Sequence, residues 1–370
     1  MTTRRTKVDD TLRTTRHRHE TSRRAHRSVS RRVGVGLLIL LSTALFIVGG
    51  LALATLHNFQ KFDRIQRFPA LREIPEAERP KKPTGDSAAD AVNVLIAGSD
   101  ARTHGVRTTG EGKGDAWKRR RQRADTLMLL HITSDRKSVQ VISFPRDSWV
   151  TIPGHGKNRL NAAYSFGGPQ LYVRTMEHLT GLRIDHVAAI DWAGFMALTD
   201  ALGGVEMSFK HDTRLTTGKQ YAPGTHTLSG EEALAYVRER HHVPGGDFGR
   251  IDRQQNFLRT LMGKVLSSGT LTHPIMLDRM LTAISQNLSV DDEFTSDEIR
   301  SLAIEMRNLH AGNVTFMTAP TKGYGTEGSR SVVYLDKANL STLMSAISSD
   351  DLQEWLRTHG KNDVLGRDVR

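Results

Sequence analysis

Residues 1–32 show no hydrophobic period, whereas residues 33–56 (VGVGLLILLSTALFIVGGLALATL) are apolar on every face and carry no charge. At about 1.5 Å per residue a helix of this length exceeds the ~30 Å hydrocarbon core of a bilayer, so the pattern predicts one membrane-spanning helix. Arg31 and Arg32 abut its start, while His57, Lys61 and Asp63 form a weaker positive flank after it. The positive-inside bias then keeps the N-terminus in the cytoplasm and puts the rest of the chain outside the cell membrane, held by a single pass. The apolar stretch of a cleaved signal peptide is shorter, roughly 7–15 residues, so the segment reads as a retained signal-anchor.

Beyond the anchor the pattern alternates. Residues 57–88 are mixed, end in a Pro- and Gly-containing stretch, and read as a juxtamembrane linker. Short apolar, β-branched runs at 91–97, 126–132, 138–144, 184–191, 314–318 and 331–335 predict strands. Helical signals lie between them. One helix covers 169–179, with Pro169 in its first turn and Gly181 past its end, and another covers 192–202, closed by Gly203 and Gly204. Ser229-x-x-Glu232 is a capping box opening a helix to about Arg240, a further helix runs over 250–266, and Thr295-x-x-Glu298 caps one to about Leu309. This succession predicts an α/β class, an α/β/α sandwich with a mixed central sheet over 89–348, the late strands belonging to the same sheet. Residues 349–370 are expected to be a C-terminal tail.

Charge narrows the partners. The net charge of +12 would suggest nucleic acid if it were evenly spread, but residues 1–32 hold eleven Lys/Arg against three Asp/Glu. The basic character therefore belongs mainly to a tail expected to be disordered and drawn to anionic lipid headgroups. No nucleic acid is expected for the folded part. The chain has no cysteine, which removes thiol nucleophiles, disulfides and Cys-ligated metals. Neither a Gly-x-x-x-x-Gly-Lys-Ser/Thr nor a Gly-x-Ser-x-Gly motif occurs.

Candidate chemistry collects at the ends of the predicted strands. Asp100 follows the first, Arg123 and Asp125 precede the second, and Arg146-Asp147 follow the third within Ser-Phe-Pro-Arg-Asp. Arg238-x-Arg240 ends one helix, and Arg250 and Gln254 open the next, across the connection Pro-Gly-Gly-Asp-Phe-Gly. Guanidinium forks match phosphate oxygens, and a pair of carboxylates suits Mg²⁺ that keeps some waters and bridges to phosphate. Singly, these residues read as solvated helix ends, turns or caps. Together they come from five places and share one preference, for a metal-bound diphosphate.

The runs Arg-Ala-Asp-Thr from 123, Ser-Phe-Pro-Arg-Asp from 143, Asn-Ala-Ala-Tyr from 161, Ala-Leu-Gly-Gly-Val from 201, Leu-Ser-Gly-Glu-Glu-Ala-Leu-Ala-Tyr-Val-Arg-Glu-Arg from 228 and Asp-Phe-Gly-Arg-Ile-Asp-Arg-Gln-Gln from 247 closely resemble the LytR–CpsA–Psr family. The resemblance covers about 90–267 and continues loosely to about 348. It implies an α/β/α sandwich that binds polyprenyl pyrophosphate lipids and transfers a phosphoglycan onto peptidoglycan. It further implies Mg²⁺, or Mn²⁺ in its place, on Asp100 and Asp125, with Arg123, Arg146, Arg238, Arg240, Arg250 and Gln254 on the pyrophosphate. Arg146, Asp125 and Arg123 are the expected catalytic residues, and Asp125 or Asp147 the candidate bases. The basic insertion between Arg102 and Arg123 departs from shorter versions of the family.

A lipid donor needs an apolar cleft. Phe195, Phe257, Leu258 and Leu261, on the apolar faces of the helices at 192–202 and 250–266, are candidate walls, ordinary core being the alternative. Competing readings are a polyprenyl-pyrophosphate hydrolase, in which water replaces the wall hydroxyl, and a non-catalytic wall-binding or regulatory protein.

Overall fold

The computed structural model describes residues 60–83, 88–100, 123–215, 217–239, 246–266, 274–359 and 364–365. The tail at 1–32, the apolar segment at 33–56, the insertion before Arg123 and Arg240 lie outside these residues. Among the described residues no helix is long and apolar enough to cross a membrane.

Seven strands form the central sheet: β1 (Gln66–Phe68), β2 (Val92–Asp100), β3 (Arg123–Ile132), β4 (Val139–Ser143), β5 (His186–Asp191), β6 (Ser289–Asp291) and β7 (Val314–Thr318), in the spatial order β1-β6-β5-β2-β3-β4-β7. The β1/β6, β5/β2 and β4/β7 pairs are parallel, whereas β6/β5, β2/β3 and β3/β4 are antiparallel. The expected mixed sheet is therefore present. Around it lie helices α1 (Leu160–Thr180), α2 (Trp192–Ala201), α3 (Gly230–Arg238), α4 (Asp247–Val265), α5 (Pro274–Asn287), α6 (Ser296–Glu305), α7 (Lys337–Ser348) and α8 (Leu352–His359).

Alternation along the strands sorts the core into two layers. Val94 and Ile96 of β2 with Met128 and Leu130 of β3 face one way, joining Phe195, Ala233, Phe257, Met280 and Ile299 from α2 to α6. Leu95 and Ala97 with Leu127 and Leu129 face the other way, joining Tyr172, Leu343 and Trp355 from α1, α7 and α8. Helices thus cover both faces, which is why these central strands read as unbroken apolar runs rather than alternating ones.

Several boundaries differ from the sequence expectation. The stretch read as linker supplies edge strand β1 and buries Phe62, Ile65, Phe68 and Leu71. Helix α1 starts well before Pro169, because the proline marks only a restart: Gly167 and Gly168 leave helical geometry immediately before it. Helix α4 begins at Asp247, and α6 ends at Glu305. The run at 314–318 joins the sheet beside β4 as expected, but Arg330–Leu335 pairs with Thr321–Glu327 as an antiparallel hairpin outside that sheet. The expected tail contains α8, whose Leu352, Trp355 and Leu356 are buried against the second core layer.

Candidate active site

Strand directions place one set of ends together. β2, β4, β5 and β7 run the same way, so their C-terminal ends share an edge with the start of antiparallel β3. In the register Asp100 lies opposite Arg123, past a shift between Gly98 and Ser99. A Cβ on Gly98 would stand 2.9 Å from the Thr126 side chain, so a glycine permits the close approach at this irregularity. The Asp100 and Arg123 side chains lie outside the described residues.

After β4 the chain turns through Phe144 and Pro145, with the Ser148 amide donating to the Pro145 carbonyl at 2.9 Å. This turn presents Arg146 and Asp147. Helix α4 is fastened to the same edge by Gln255, whose amide nitrogen donates to Ser143 Oγ (2.8 Å), the Met317 carbonyl (2.8 Å) and Thr318 Oγ1 (3.2 Å). One side chain thereby spans the ends of β4 and β7 and sets where the first turn of α4 sits.

The result is a charge cluster from four segments. Arg146 donates to Asp125 Oδ1 on β3. Its Nε lies 3.6 Å from Asp147 Oδ2 and 3.8 Å from Asp247 Oδ1. Arg250 binds the same Asp247 oxygen at 2.7 Å, and Arg159 reaches Asp147 Oδ1 at 3.5 Å. Arg250 is only 3% exposed and Arg146 13%, so Asp247 joins a buried guanidinium to one that only partly reaches solvent. Burial would weaken the charge of Arg146, but Asp125, Asp147 and Asp247 outweigh it and raise its pKa. Burial first, and Asp247 beside it, push the Asp147 carboxyl above its ordinary range against the pull of Arg146, Arg159 and Arg250.

The structure therefore brings Asp125, Arg146 and Arg250 together, with Asp147 beside them. Arg238 stands apart from this ion-pair set: it is exposed, its guanidinium over the Trp192 ring at 5.0 Å. Gln254 is buried and donates to the Val237 carbonyl at 3.3 Å, tying α4 to the end of α3. Asp247, Arg159, Gln255 and Arg253 were not among the expected site residues. Arg253 is buried over Tyr236, 4.8 Å from the ring centroid, and its Nε and Nη1 have no hydrogen-bond partner. Burial lowers its pKa although Tyr236 and Glu239 oppose the shift. Phe195, Phe257, Leu258 and Leu261 are all buried in the first core layer, Phe195 and Phe257 with ring centroids 5.6 Å apart.

The residues suit a hard divalent cation by type. Asp100 and Asp125 stand on neighbouring strand ends, and Asp247 Oδ2 is buried without a hydrogen-bond partner, an oxygen still able to bind a cation. Among the described residues no group of three His, Asp or Glu already forms a metal cage.

The chain is 33% identical over 287 residues to the cell wall biosynthesis protein LcpA of Corynebacterium glutamicum, covering 68% of this chain and 54% of that one. It is 34% identical over 200 residues to a polyisoprenyl-teichoic acid–peptidoglycan teichoic acid transferase, TagU, of Enterococcus faecalis, covering 54% of this chain and 64% of that one. It therefore spans between about half and two thirds of these relatives' lengths. A solved structure of TagT bound to LI-WTA superposes with a TM-score of 0.57 at 26% identity, over 77% of this chain and 99% of that one. The LytR_cpsA_psr family model matches residues 68–348, and this chain belongs to the LytR_cpsA_psr family.

Proposed function

We propose that the protein transfers a phosphoglycan from a polyprenyl-pyrophosphate carrier to a hydroxyl of peptidoglycan outside the membrane. The observation that carries the reading is the sharing of Asp247 by Arg146 and Arg250 beside Asp125, which concentrates donors for phosphate oxygens at one sheet edge. The printed names of LcpA and TagU support the same reading, as does the structure of TagT bound to LI-WTA.

In this mechanism Arg146 and Arg250 hold the diphosphate and spread its developing charge. Phosphoryl transfer depends chiefly on positioning and electrostatic stabilisation. A hydroxyl oxygen of the acceptor forms a bond to the glycan-proximal phosphorus, the bond from that phosphorus to the bridging oxygen breaks, and polyprenyl phosphate leaves. Asp147 takes the hydroxyl proton, for which its raised pKa suits it better than an ordinary surface carboxylate. Asp100 and Asp125, with Asp247 nearby, would hold Mg²⁺, which would add charge neutralisation at the diphosphate. Arg123, Arg240 and Gln254 are proposed to complete the pyrophosphate contacts, and Arg238 to close over them from α3. The walls of the lipid cleft are proposed to come from the layer holding Phe195, Phe257, Leu258 and Leu261.

Arg146→Ala tests the reading, with lipid-linked donor and peptidoglycan acceptor supplied together and donor alone as the control. Transfer is expected to fall by about 10³-fold or more, the scale of losing a phosphate-clamping arginine. Undiminished transfer would remove the cluster from the chemistry. Release of polyprenyl phosphate at the same rate with and without acceptor would favour the hydrolase.

A further inference from the structure

The hairpin formed by Thr321–Glu327 and Arg330–Leu335 stands outside the central sheet but not away from the charge cluster. Its parallel bridge from Val333 to Ser148, and the Val333 amide donating to the Asp147 carbonyl at 2.9 Å, fasten it to the turn that carries Arg146. Tyr324 leans from this hairpin onto the first turn of α4. Its hydroxyl accepts from the Asp247 amide at 3.1 Å and the Phe248 amide at 3.3 Å. Its ring meets Phe248 edge-on, with centroids 5.0 Å apart at 62°. Yet Tyr324 is 53% exposed, one of few large hydrophobic side chains so open among the described residues.

A tyrosine that is both anchored and open is unusual in its economy of parts. Two backbone amides fix the hydroxyl, an aromatic neighbour fixes the tilt, and the ring still offers surface to solvent. The flanking residues are glycines, Gly323 at φ +94° and Gly325, and no Cβ on Gly323 would meet anything within 4 Å. No side chain adjacent in sequence therefore shields the ring. Rigid aromatic rings with a polar handle give large contact area at small entropic cost, which is the requirement for stacking on the C–H face of a sugar.

We infer that Tyr324, seated against Phe248, is a sugar-binding lip that stacks on the first sugar attached to the donor diphosphate. Position selects this occupant. The amide that Tyr324 accepts from belongs to Asp247, whose carboxylate binds Arg250 and approaches Arg146. A sugar esterified to a phosphate held by those guanidiniums would start beside the helix turn on which Tyr324 rests. The inference rests on the proposed lipid-diphosphate chemistry and adds to it a source of selectivity for glycosylated over bare donors.

The test compares binding of farnesyl diphosphate and of the same diphosphate esterified to N-acetylglucosamine by the full-length protein in detergent, for wild type, Tyr324→Ala and Tyr324→Phe. Wild type is expected to prefer the sugar-bearing ligand, and Tyr324→Ala to weaken that ligand by about 10-fold, the scale of one aromatic contact, while leaving farnesyl diphosphate unchanged. Tyr324→Phe keeps the ring and is expected to retain most of the preference. Thermal melting of both variants reports whether the exposed hairpin stays folded. If wild type binds both ligands equally, or Tyr324→Ala weakens both alike, the lip is overturned while the diphosphate reading stands. If wild type binds neither, the diphosphate reading falls and the lip with it. A variant that alters only the KM for peptidoglycan would also overturn the assignment, moving the residue to the acceptor side.

Discussion

At the scale of single residues, Asp147 carries the most specific consequence. Its carboxyl is raised by burial and by Asp247, so the ionised form that can accept a proton appears only at higher pH than for an ordinary aspartate. Transfer should therefore show an acidic limb whose midpoint lies above the usual carboxylate range, with activity lost as pH falls through it. Asp147→Asn should lower kcat and remove that limb, while donor binding through Arg146 and Arg250 persists. A pH profile of kcat/KM that is unchanged in Asp147→Asn would exclude Asp147 as the base. Asp125, Arg146 and Arg250 were legible from the sequence because their chemistry, guanidinium with carboxylate at strand and helix ends, points to one ligand. Asp247 was not, since the sequence places it in a Gly-rich connection ahead of a helix read from 250, where an aspartate already has a local explanation as a turn residue. Arg159 ends a short hairpin, Trp149–Ile152 with Gly156–Arg159, and carries no signal until the pairing places it next to Asp147.

Elements were legible in proportion to how local their cause is. Ser229 and Glu232 form the reciprocal capping box at the start of α3, and Gly181 closes α1 in the left-handed conformation, both as local rules require. Strand β1 escaped because three residues become a strand only against β6, which lies far along the chain. The β5–β6 junction illustrates such a long-range cause and gives a second prediction. His186 at the start of β5 is within 3.4 Å of Asp291 in β6 and 3.2 Å of Glu298 in α6, and stacks on Phe294 at 3.9 Å. Burial alone would lower its pKa, but the two carboxylates outweigh burial and push it up to about 9. Because the folded value lies above the unfolded one, the stabilisation is complete below about pH 6.5 and is lost as pH rises towards about 9. Denaturant unfolding should show a decline on the order of 2–3 kcal/mol across that window. His186→Gln should be less stable at pH 6 and should flatten the decline. An equal slope in the variant would detach His186 from it.

For the whole molecule the question is what the membrane contributes. Among the described residues every strand of the central sheet and every buried residue of the two core layers falls between Phe62 and Leu356, downstream of the apolar segment at 33–56. The segment's proposed role is then tethering. In that role a lipid-linked donor and an anchored enzyme would meet in the plane of one membrane, where effective concentration replaces bulk affinity and no new contact is needed. Replacing residues 1–56 by a cleavable secretion signal should therefore separate two readouts. Transfer from a short-chain, water-soluble donor by the purified proteins should stay within about 2-fold of the full-length chain, because the charge cluster is untouched. Attachment of glycopolymer to the wall in cells should fall by about 10²-fold or more, the lower range of what tethering supplies. If wall attachment survives release from the membrane, the donor is delivered by some route other than shared residence in the bilayer. If transfer from the soluble donor also collapses, the segment at 33–56 helps shape the site itself, and the tether reading gives way to a structural one.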